Sequence, residues 1–552
     1  MHQRKSIRMK KLNQYLKNSI SSVLESLSYP SKDFNLTKSK NIQFGDLSTN
    51  VALLLSSDLK QNPMDIGLSI REKLDELHLD HVSKITVSKP GFLNFRILDS
   101  FFQNQIYNIL NENVNYGRGD FGIGKTANVE FVSANPTGPL TIGHGRNAIL
   151  GDTVSNILEW QGFKVIREYY FNNAGRQMRI LGDSVKARYF EILGKDFQFP
   201  KDGYQGDYIK DIAGDILKSM GEKIDKKDTI FTEYAEKVMF ENIKKSLKSL
   251  KINFDKFTNE KTFYENGDID KLIRRLAKKD LIYKKDGATW FKTTSLGKDQ
   301  DRVYIKSTGE PTYRVPDTAY HLDKIKRKFD LIIDVFGADH ADSYPDVLIA
   351  LEALGLNIDY IKILLYQFVT LVKNGEKVKM STRKANFVTL DDLIKELGTD
   401  VVRYFFIMRS MNTHLDFNLD LASEQSEKNP VYYIQYAHAR ISNIIVRYDE
   451  SHSQENNDFN SSLITCDEEI DMLKHLVNFS EVVDHAYRNL EPQFIANYLQ
   501  ELASCFHKFY NKCRVITDNS DLTTARIKLI KSVKIILKNG LKILGITAPE
   551  KM

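Results

Sequence analysis

The stretch that decides the fold spans residues 127–170 and reads ANVEFVSANPTGPLTIGHGRNAILGDTVSNILEWQGFKVIREYY. Residues 127–132 form an extended, β-prone run, and two prolines hold the next segment, 135–139, away from helix. Residues 146–160 carry apolar side chains at helical spacing and stop at a glycine. Residues 164–170 are again β-prone. This order predicts a βαβ unit of a doubly wound parallel sheet.

The same alternation resumes later in the chain. We predict a strand at 331–335, a helix at 345–354 and a strand at 363–372. The charged stretch between the two halves predicts a helical insertion at about 185–280. Before the sheet, helical periodicity covers residues 12–27 and 48–59, and two strands are predicted at 85–88 and 92–97. Helical periodicity dominates again after residue 391.

These patterns predict a multidomain α/β protein, because 552 residues exceed one ordinary hydrophobic core. Residues 1–115 form a small N-terminal α/β domain, and residues 116–390 a Rossmann-like catalytic domain with a doubly wound parallel sheet. Residues 391–552 form a C-terminal all-α bundle.

Composition restricts the environment of the chain. A net charge of +6 permits a nucleic-acid partner without requiring one. No apolar run could span a bilayer, and no apolar signal core follows the basic first residues, which predicts a cytoplasmic protein without a membrane partner. The three cysteines, Cys466, Cys505 and Cys513, indicate a reducing compartment and no disulfide framework. Their spacing is not that of zinc ligands, so we expect no metal site.

Residues 130–147 carry the first chemical signal. They lie where a parallel strand ends and a helix begins, a position whose free amides and helix dipole favour phosphate. Gly143 and Gly145 let a nucleotide approach the backbone, and His144 can donate a hydrogen bond to a phosphate oxygen. A structural turn with a capping histidine is the alternative, and it would be the commoner explanation for an isolated Gly-His pair.

A basic segment, KVKMSTRK, occupies residues 377–384 and follows a predicted strand. Mobile cationic side chains can stabilise negative charge that develops on phosphate groups. Alone, such a run is usually a solvated surface. Its position after the phosphate-binding segment favours the catalytic interpretation.

Residues 311–321 contain an aromatic side chain and a carboxylate suited to a cationic ligand. Tyr313 and Asp317 are four residues apart, so one helical turn would direct both into one pocket. Gly337, Asp339 and His340 follow a predicted strand and would line the nucleotide crevice. A helix cap at Asp339 or Asp342 is an equally good explanation for that loop.

These three segments resemble the signatures of arginyl-tRNA synthetases. Residues 141–144 match the HIGH motif, with Thr141 in place of its histidine, and residues 379–382 match the KMSK loop, with Thr382 in place of its last lysine. The resemblance implies a class I enzyme that activates L-arginine with ATP and transfers it to the terminal adenosine of its tRNA. It also implies Mg²⁺ that arrives with ATP, no tightly bound protein metal, and a monomer.

The resemblance assigns roles to individual residues. It implies a catalytic set of Thr141, His144, Lys379, Ser381 and Arg383. The implied ATP-binding residues are Gly143, Gly145, Gly337, Asp339, His340 and Met380. The implied arginine-binding residues are Glu130, Ser133, Asn135, Tyr313, Asp317 and Gln367.

The terminal domains resemble the tRNA-binding parts of the same family. Phe92 and Asn94 would contact the D-loop of tRNA, and Tyr433, Tyr436 and Met552 would lie near the anticodon loop. Packing inside a small sheet or a helical bundle would explain the aromatic residues almost as well.

Two other functions are compatible with parts of the sequence. A different class I synthetase or a cytidylyltransferase would share HIGH-like chemistry, but neither accounts for residues 130–135 together with Tyr313 and Asp317. A non-catalytic tRNA-binding paralogue is suggested by Thr141 and Thr382. Pyrophosphate exchange with each amino acid separates the three.

Overall fold

The computed structural model describes residues 9–39, 41–225, 229–378, 388–451 and 459–552. Its N-terminal unit packs helices against a four-stranded antiparallel sheet of order β1-β2-β4-β3. Leu93, Phe95 and Ile97 alternate along β4 and are buried, since alternate residues of a strand share one face. The elements are α1 (Met9–Ser26), β1 (Thr37–Lys38), β2 (Leu47–Thr49), α2 (Val51–Leu59), α3 (Pro63–Glu76), β3 (Val82–Ser88), β4 (Phe92–Ile97) and α4 (Asp99–Glu112).

The middle of the chain forms a parallel sheet with smaller elements around it. Its strands are β5 (Thr126–Glu130), β6 (Lys164–Phe171), β7 (Lys256–Asn259), β8 (Ile282–Lys285), β9 (Ala288–Phe291), β10 (Arg302–Ile305), β11 (Leu331–Gly337) and β12 (Ile361–Tyr366). Its helices are α5 (Ile142–Trp160), α6 (Arg176–Ile192), α7 (Asp207–Met220), α8 (Ile230–Ser249), α9 (Glu260–Glu265), α10 (Asp268–Lys278), α11 (Arg314–Lys326) and α12 (Tyr344–Ala353).

Five strands pair in parallel in the order β12-β11-β5-β6-β7. The chain starts at the central strand β5, adds β6 and β7 on one side, and then returns to add β11 and β12 on the other. This is a doubly wound arrangement, and its order reverses between β5 and β11. The predicted fold class is confirmed.

Two segments differ from the prediction. Residues 256–259, inside the predicted helical insertion, form the edge strand β7 beside β6. The predicted strand 363–372 is divided, because β12 ends before Gln367 and the next strand leaves the sheet. Arg146 donates to the Gln367 carbonyl, and the Gln367 amide donates to the Met411 carbonyl at 2.9 Å, which fixes the backbone at the break.

The last third of the chain is a helical bundle that packs against the parallel sheet domain. Arg403 is fully buried, and its guanidinium donates to the carbonyls of Leu544 and Leu250 and to Asp152 on α5. The elements are β13 (Val369–Lys373), β14 (Glu376–Lys377), α13 (Leu390–Leu397), α14 (Thr399–Ile407), β15 (Leu415–Asn418), α15 (Leu419–Ser423), α16 (Pro430–Ser451), α17 (Asp467–Leu476), α18 (Phe479–Asn489), α19 (Gln493–Lys512) and α20 (Ser520–Ile543). Within the described ranges, no helix is both long enough and apolar enough to cross a membrane.

Candidate active site

A cavity of about 330 Å³ opens where the strand order reverses, at the carboxyl ends of β5 and β11. Ligands of doubly wound sheets bind at this position because two loops diverge there. The structure brings together residues that lie far apart in sequence, including His144 and Asp317. The sequence-predicted residues that line the cavity are Glu130, Ser133, Asn135, His144, Tyr313, Asp317, Gly337, Asp339 and His340.

The cavity begins at the first turn of α5. Thr141 is the N-cap of this helix, and its backbone amide donates to His144 Nδ1 at 3.2 Å. Nδ1 is therefore an acceptor, so the ring proton lies on Nε2. Burial lowers the pKa of His144 to about 4, against a smaller opposing effect of Asp339. At neutral pH His144 is thus an uncharged hydrogen-bond donor at the cavity wall.

Three residues of the HIGH-like segment do not line the cavity. Thr141 caps α5, with its hydroxyl 3.5 Å from the His144 amide. A Cβ at Gly143 would meet only Thr141 Oγ1, at 3.7 Å, so packing does not require a glycine there and close approach of a ligand would explain it. Gly145 is different, because a Cβ there would lie 2.6 Å from Leu390 Cδ1. The absence of a side chain at Gly145 therefore serves the packing of α13 and not nucleotide approach.

A strained turn connects β5 to this helix. Val132 and Ser133 adopt positive φ values of 66° and 41°, which cost energy for residues with side chains and most for a β-branched one. Asn147 on α5 fixes the turn, because its Oδ1 accepts from the Val132 amide at 2.6 Å and its Nδ2 donates to the Val335 carbonyl at 2.9 Å. The turn directs Ser133 into the cavity, where its hydroxyl donates to Glu130 at 2.8 Å.

Asp317 supplies an uncompensated carboxylate to the opposite wall. Among the described residues, no cationic side chain lies within ion-pair distance of it, although Lys324 and His321 pair with other acids nearby. Burial raises the pKa of Asp317 to about 7, with Glu260 and Glu130 raising it further against His321 and Lys324. Tyr313, with 53% of its surface exposed, lies one helical turn earlier. This wall suits a ligand that brings its own cation.

Glu130, by contrast, already has a cationic partner. Lys324 is fully buried and donates to Glu130 and, at 2.5 Å, to Asp334. His321 donates through Nε2 to Asp334 at 2.9 Å and through Nδ1 to the Asp317 carbonyl at 2.8 Å. Burial opposes charge on Asp334, but Lys324 and His321 together lower its pKa. This buried network fixes the helix that carries Asp317 to strands β5 and β11.

Sequence reasoning missed most of this network. A usable signal was Asp334, an acid in the middle of a strand whose neighbours Ile333 and Val335 are apolar and buried. Tyr170 and Tyr320 were also missed. Their rings stack 4.4 Å apart at 19° and line the cavity beside Asp317.

Gln367 and four residues of the basic segment complete the set of site residues predicted from the sequence. The cavity lining does not include Gln367, whose carbonyl accepts from Arg146. Lys379, Met380, Ser381 and Arg383 lie outside the described residues.

The predicted tRNA contacts differ in accessibility. Phe92 is 36% exposed, but Asn94 is buried and its amide donates to Ser88 Oγ at 2.9 Å and to the Phe92 carbonyl at 3.1 Å. The Asn94 side chain is therefore hydrogen-bonded within the small sheet, where β4 lies between β2 and β3, and of the two predicted contacts only Phe92 is accessible.

The aromatic residues of the bundle remain partly exposed. Tyr433 and Tyr436 on α16 lie against His507, with ring centroids 4.6 and 5.9 Å apart, and Arg440 lies over the Tyr436 ring at 5.3 Å. Met552 is 52% exposed. Partly exposed rings beside a guanidinium are suited to stacking on unpaired bases.

Comparison with known proteins gives matches over most of the chain. A model of the class I tRNA synthetase (R) catalytic domain matches residues 105–445, the arginyl tRNA synthetase N-terminal domain matches residues 11–97, and the DALR anticodon binding domain matches residues 434–552. The catalytic model alone covers more than half of the chain.

Individual relatives agree with the family models. An arginine–tRNA ligase of Desulfotalea psychrophila is 47% identical over 92% of this chain and 93% of its own length. One of Salinibacter ruber is 44% identical over 98% of this chain and all of its own length. The solved structure of Thermus thermophilus arginyl-tRNA synthetase has a TM-score of 0.76 at 19% identity, covering 98% of this chain and all of that one, which shows a common fold. The resemblance seen in the motifs is thereby confirmed, and the chain belongs to the class I arginyl-tRNA synthetase family.

Proposed function

We propose that this chain activates L-arginine with ATP to arginyl-adenylate and transfers the arginine to the terminal adenosine of its tRNA. One observation carries the assignment of substrate to site. The cavity that begins at the first turn of α5 also contains Asp317, a carboxylate without a cationic partner among the described residues. A phosphate-binding end and a guanidinium-binding end in one cavity are what arginine activation requires.

The guanidinium of arginine lies against Asp317 and Tyr313 in this proposal, and Ser133 and Asn135 lie near the α-amino group. The carboxylate of arginine attacks the α-phosphate of ATP, and pyrophosphate leaves. His144 donates from Nε2 to a phosphate oxygen as negative charge develops there. No side chain acts as a nucleophile, because positioning and charge stabilisation suffice for this displacement.

Glu130 takes an indirect part in the proposal. Lys324 neutralises it, so the charge of the arginine side chain is left to Asp317. Lys379, Ser381 and Arg383 are proposed to supply the remaining stabilisation of the phosphates. Mg²⁺ enters with ATP and is held mainly by phosphate oxygens; Asp339, exposed at the cavity mouth, is the carboxylate that fits such an ion.

The tRNA, by the same proposal, contacts Phe92 in the N-terminal unit and Tyr433, Tyr436 and Met552 in the helical bundle. We also propose that the domain boundaries lie at residues 115 and 390, that the chain is a monomer and that its location is cytoplasmic.

The function is tested by ATP–pyrophosphate exchange with purified chain and each of the amino acids in turn, with and without tRNA. Exchange that depends on arginine supports the proposal. Exchange driven by another amino acid rejects the substrate, and tRNA binding without exchange for any amino acid identifies a non-catalytic paralogue.

A further inference from the structure

Two cysteines that are distant in sequence meet in the helical bundle. Cys466 precedes the first residue of α17, and Cys513 follows the last residue of α19. Their sulfur atoms and a carboxylate oxygen of Glu469 all lie within 4.8 Å of one another. Cys466 is exposed, whereas Cys513 is buried with 7% of its surface accessible.

The surroundings of this pair do not favour a metal ion. One Glu469 oxygen accepts from Arg526 Nε at 2.6 Å, and the other accepts from the amides of Thr465 and Cys466 at 3.0 and 2.9 Å. The Arg526 guanidinium also lies 3.9 Å from the Cys466 sulfur. A divalent cation would have to break these bonds and sit beside a fixed positive charge.

The same surroundings favour thiol chemistry. Cys466 is exposed at the N-terminus of α17, and the Arg526 guanidinium lies beside its sulfur, so a small oxidant can reach this thiol. Burial, together with the neighbouring Cys466, raises the pKa of the Cys513 thiol to about 11, so Cys513 stays protonated. The exposed Cys466 sulfur can thus react with an oxidant, and the protonated Cys513 thiol lies next to it.

We propose that Cys466 and Cys513 form a reversible intramolecular disulfide when the chain encounters a peroxide. The Cys466 thiolate attacks one oxygen of hydrogen peroxide, gives a sulfenic acid and releases hydroxide. The Cys513 sulfur then attacks the sulfenic sulfur, the S–S bond forms, and the hydroxyl leaves with the Cys513 proton as water. In total, two thiols and one peroxide give one disulfide and two waters, and an added dithiol reverses the change.

The two helices that carry the cysteines at their ends are neighbours in the bundle. Helices α17 and α19 are already packed together, since His475 and Tyr498 stack with centroids 4.6 Å apart at 7°. The two sulfur atoms lie within 4.8 Å of each other and must approach to about 2 Å for the bond to form. A reversible bond of this kind is compatible with a reducing compartment, where disulfides are transient.

Counting thiols in the full chain tests the proposal, because the sequence contains only three cysteines. After hydrogen peroxide treatment and denaturation, the wild-type chain should lose two of its three titratable thiols, and dithiothreitol should restore them. Cys505→Ser is the matched control, since Cys505 lies within α19 and outside this cluster; it should still lose both remaining thiols. Cys466→Ser and Cys513→Ser should give no intramolecular disulfide.

Peptide mapping without reduction should recover a linked pair of peptides that contain residues 466 and 513. The proposal is overturned if three thiols survive the treatment, if Cys505 is in the linked pair, or if non-reducing gels show only cross-linked dimers. Stoichiometric binding of Zn²⁺ alone to the reduced wild-type chain, lost in both Cys466→Ser and Cys513→Ser, would also overturn it and identify a metal site.

Discussion

Replacing Asp317 with asparagine removes one negative charge and keeps the shape of the side chain. No cationic side chain among the described residues pairs with this carboxylate. The substitution should therefore remove only the ion pair between Asp317 and the guanidinium of arginine. Losing one partner of a buried charge pair costs about 2–5 kcal/mol. Asp317 is only partly buried, so we expect about 3 kcal/mol, which corresponds to about a 100-fold higher KM for arginine.

The pH dependence of arginine binding provides a second test of the role of Asp317. Burial raises the pKa of Asp317 to about 7, so below that pH the carboxyl must lose a proton before it can pair with arginine. The apparent affinity for arginine should therefore fall about tenfold for each pH unit below 7 in the wild-type chain. This dependence should be absent in Asp317→Asn.

Asp317→Asn should stabilise the folded chain although it weakens arginine binding. Since folding raises the pKa of Asp317 above its unfolded value, the folded state holds the proton more tightly, and stability is lost as pH rises from about 4 to about 7. At pH 8, Asp317→Asn should therefore stabilise the unliganded chain, by about 1–2 kcal/mol after allowance for partial solvent screening.

Pyrophosphate exchange, titrated with arginine and with ATP, measures the KM for each substrate. Thermal unfolding of the same variants measures their stability. Asp323→Asn is the matched control on the same helix, because Asp323 pairs with Arg327 and Lys256 and does not line the cavity. Equal losses for arginine and ATP, or a destabilised unliganded Asp317→Asn chain, would show that Asp317 is structural and refute the reasoning.

Three other substitutions test separate parts of the structure. Lys324→Met leaves the buried Glu130 without a cation and Asp334 with His321 alone, so urea denaturation should show a loss of about 3–5 kcal/mol, and an unchanged midpoint would contradict the network. His144→Ala should slow exchange about 100-fold while a filter-binding assay finds tRNA affinity unchanged; a loss of tRNA binding would mean that the nucleotide lies elsewhere. Gly545→Ala should lower the free energy of unfolding by about 1–3 kcal/mol, because φ is 69° and a Cβ would lie 2.2 Å from Arg403 Nη2. Gly214→Ala is the matched control: a Cβ there meets nothing within 4 Å inside α7, so urea denaturation of both glycine variants should find this one neutral or stabilising.

The parallel sheet was predictable because its strands are marked by local sequence. Residues 331–335 are mostly apolar, residues 164–170 are rich in β-branched and aromatic side chains, and each run lies next to a helix of clear periodicity. The edge strand β7 was missed because KFTN is short and polar. The start of α5 was predicted four residues late, at Arg146 instead of Ile142, because the intervening glycines are poor helix formers in the absence of a known cap.

The acidic wall was predictable only in part. Tyr313 and Asp317 are one helical turn apart, a spacing that sequence displays directly. Lys324 lies farther along the same helix, where a lysine is normally solvated. Its burial depends on Glu130 and Asp334, which come from two different strands, and no local pattern contains that information. The burial of Asn94 was not predicted for a similar reason, because it depends on tertiary packing.

A crystal structure with a non-hydrolysable arginyl-adenylate analogue tests the central claim most directly. We expect the guanidinium within about 4 Å of the Asp317 carboxylate, the distance of an ion pair, and the phosphate mimic within hydrogen-bond reach of His144 Nε2. A guanidinium held away from Asp317, or an adenylate group at another edge of the sheet, would contradict the account.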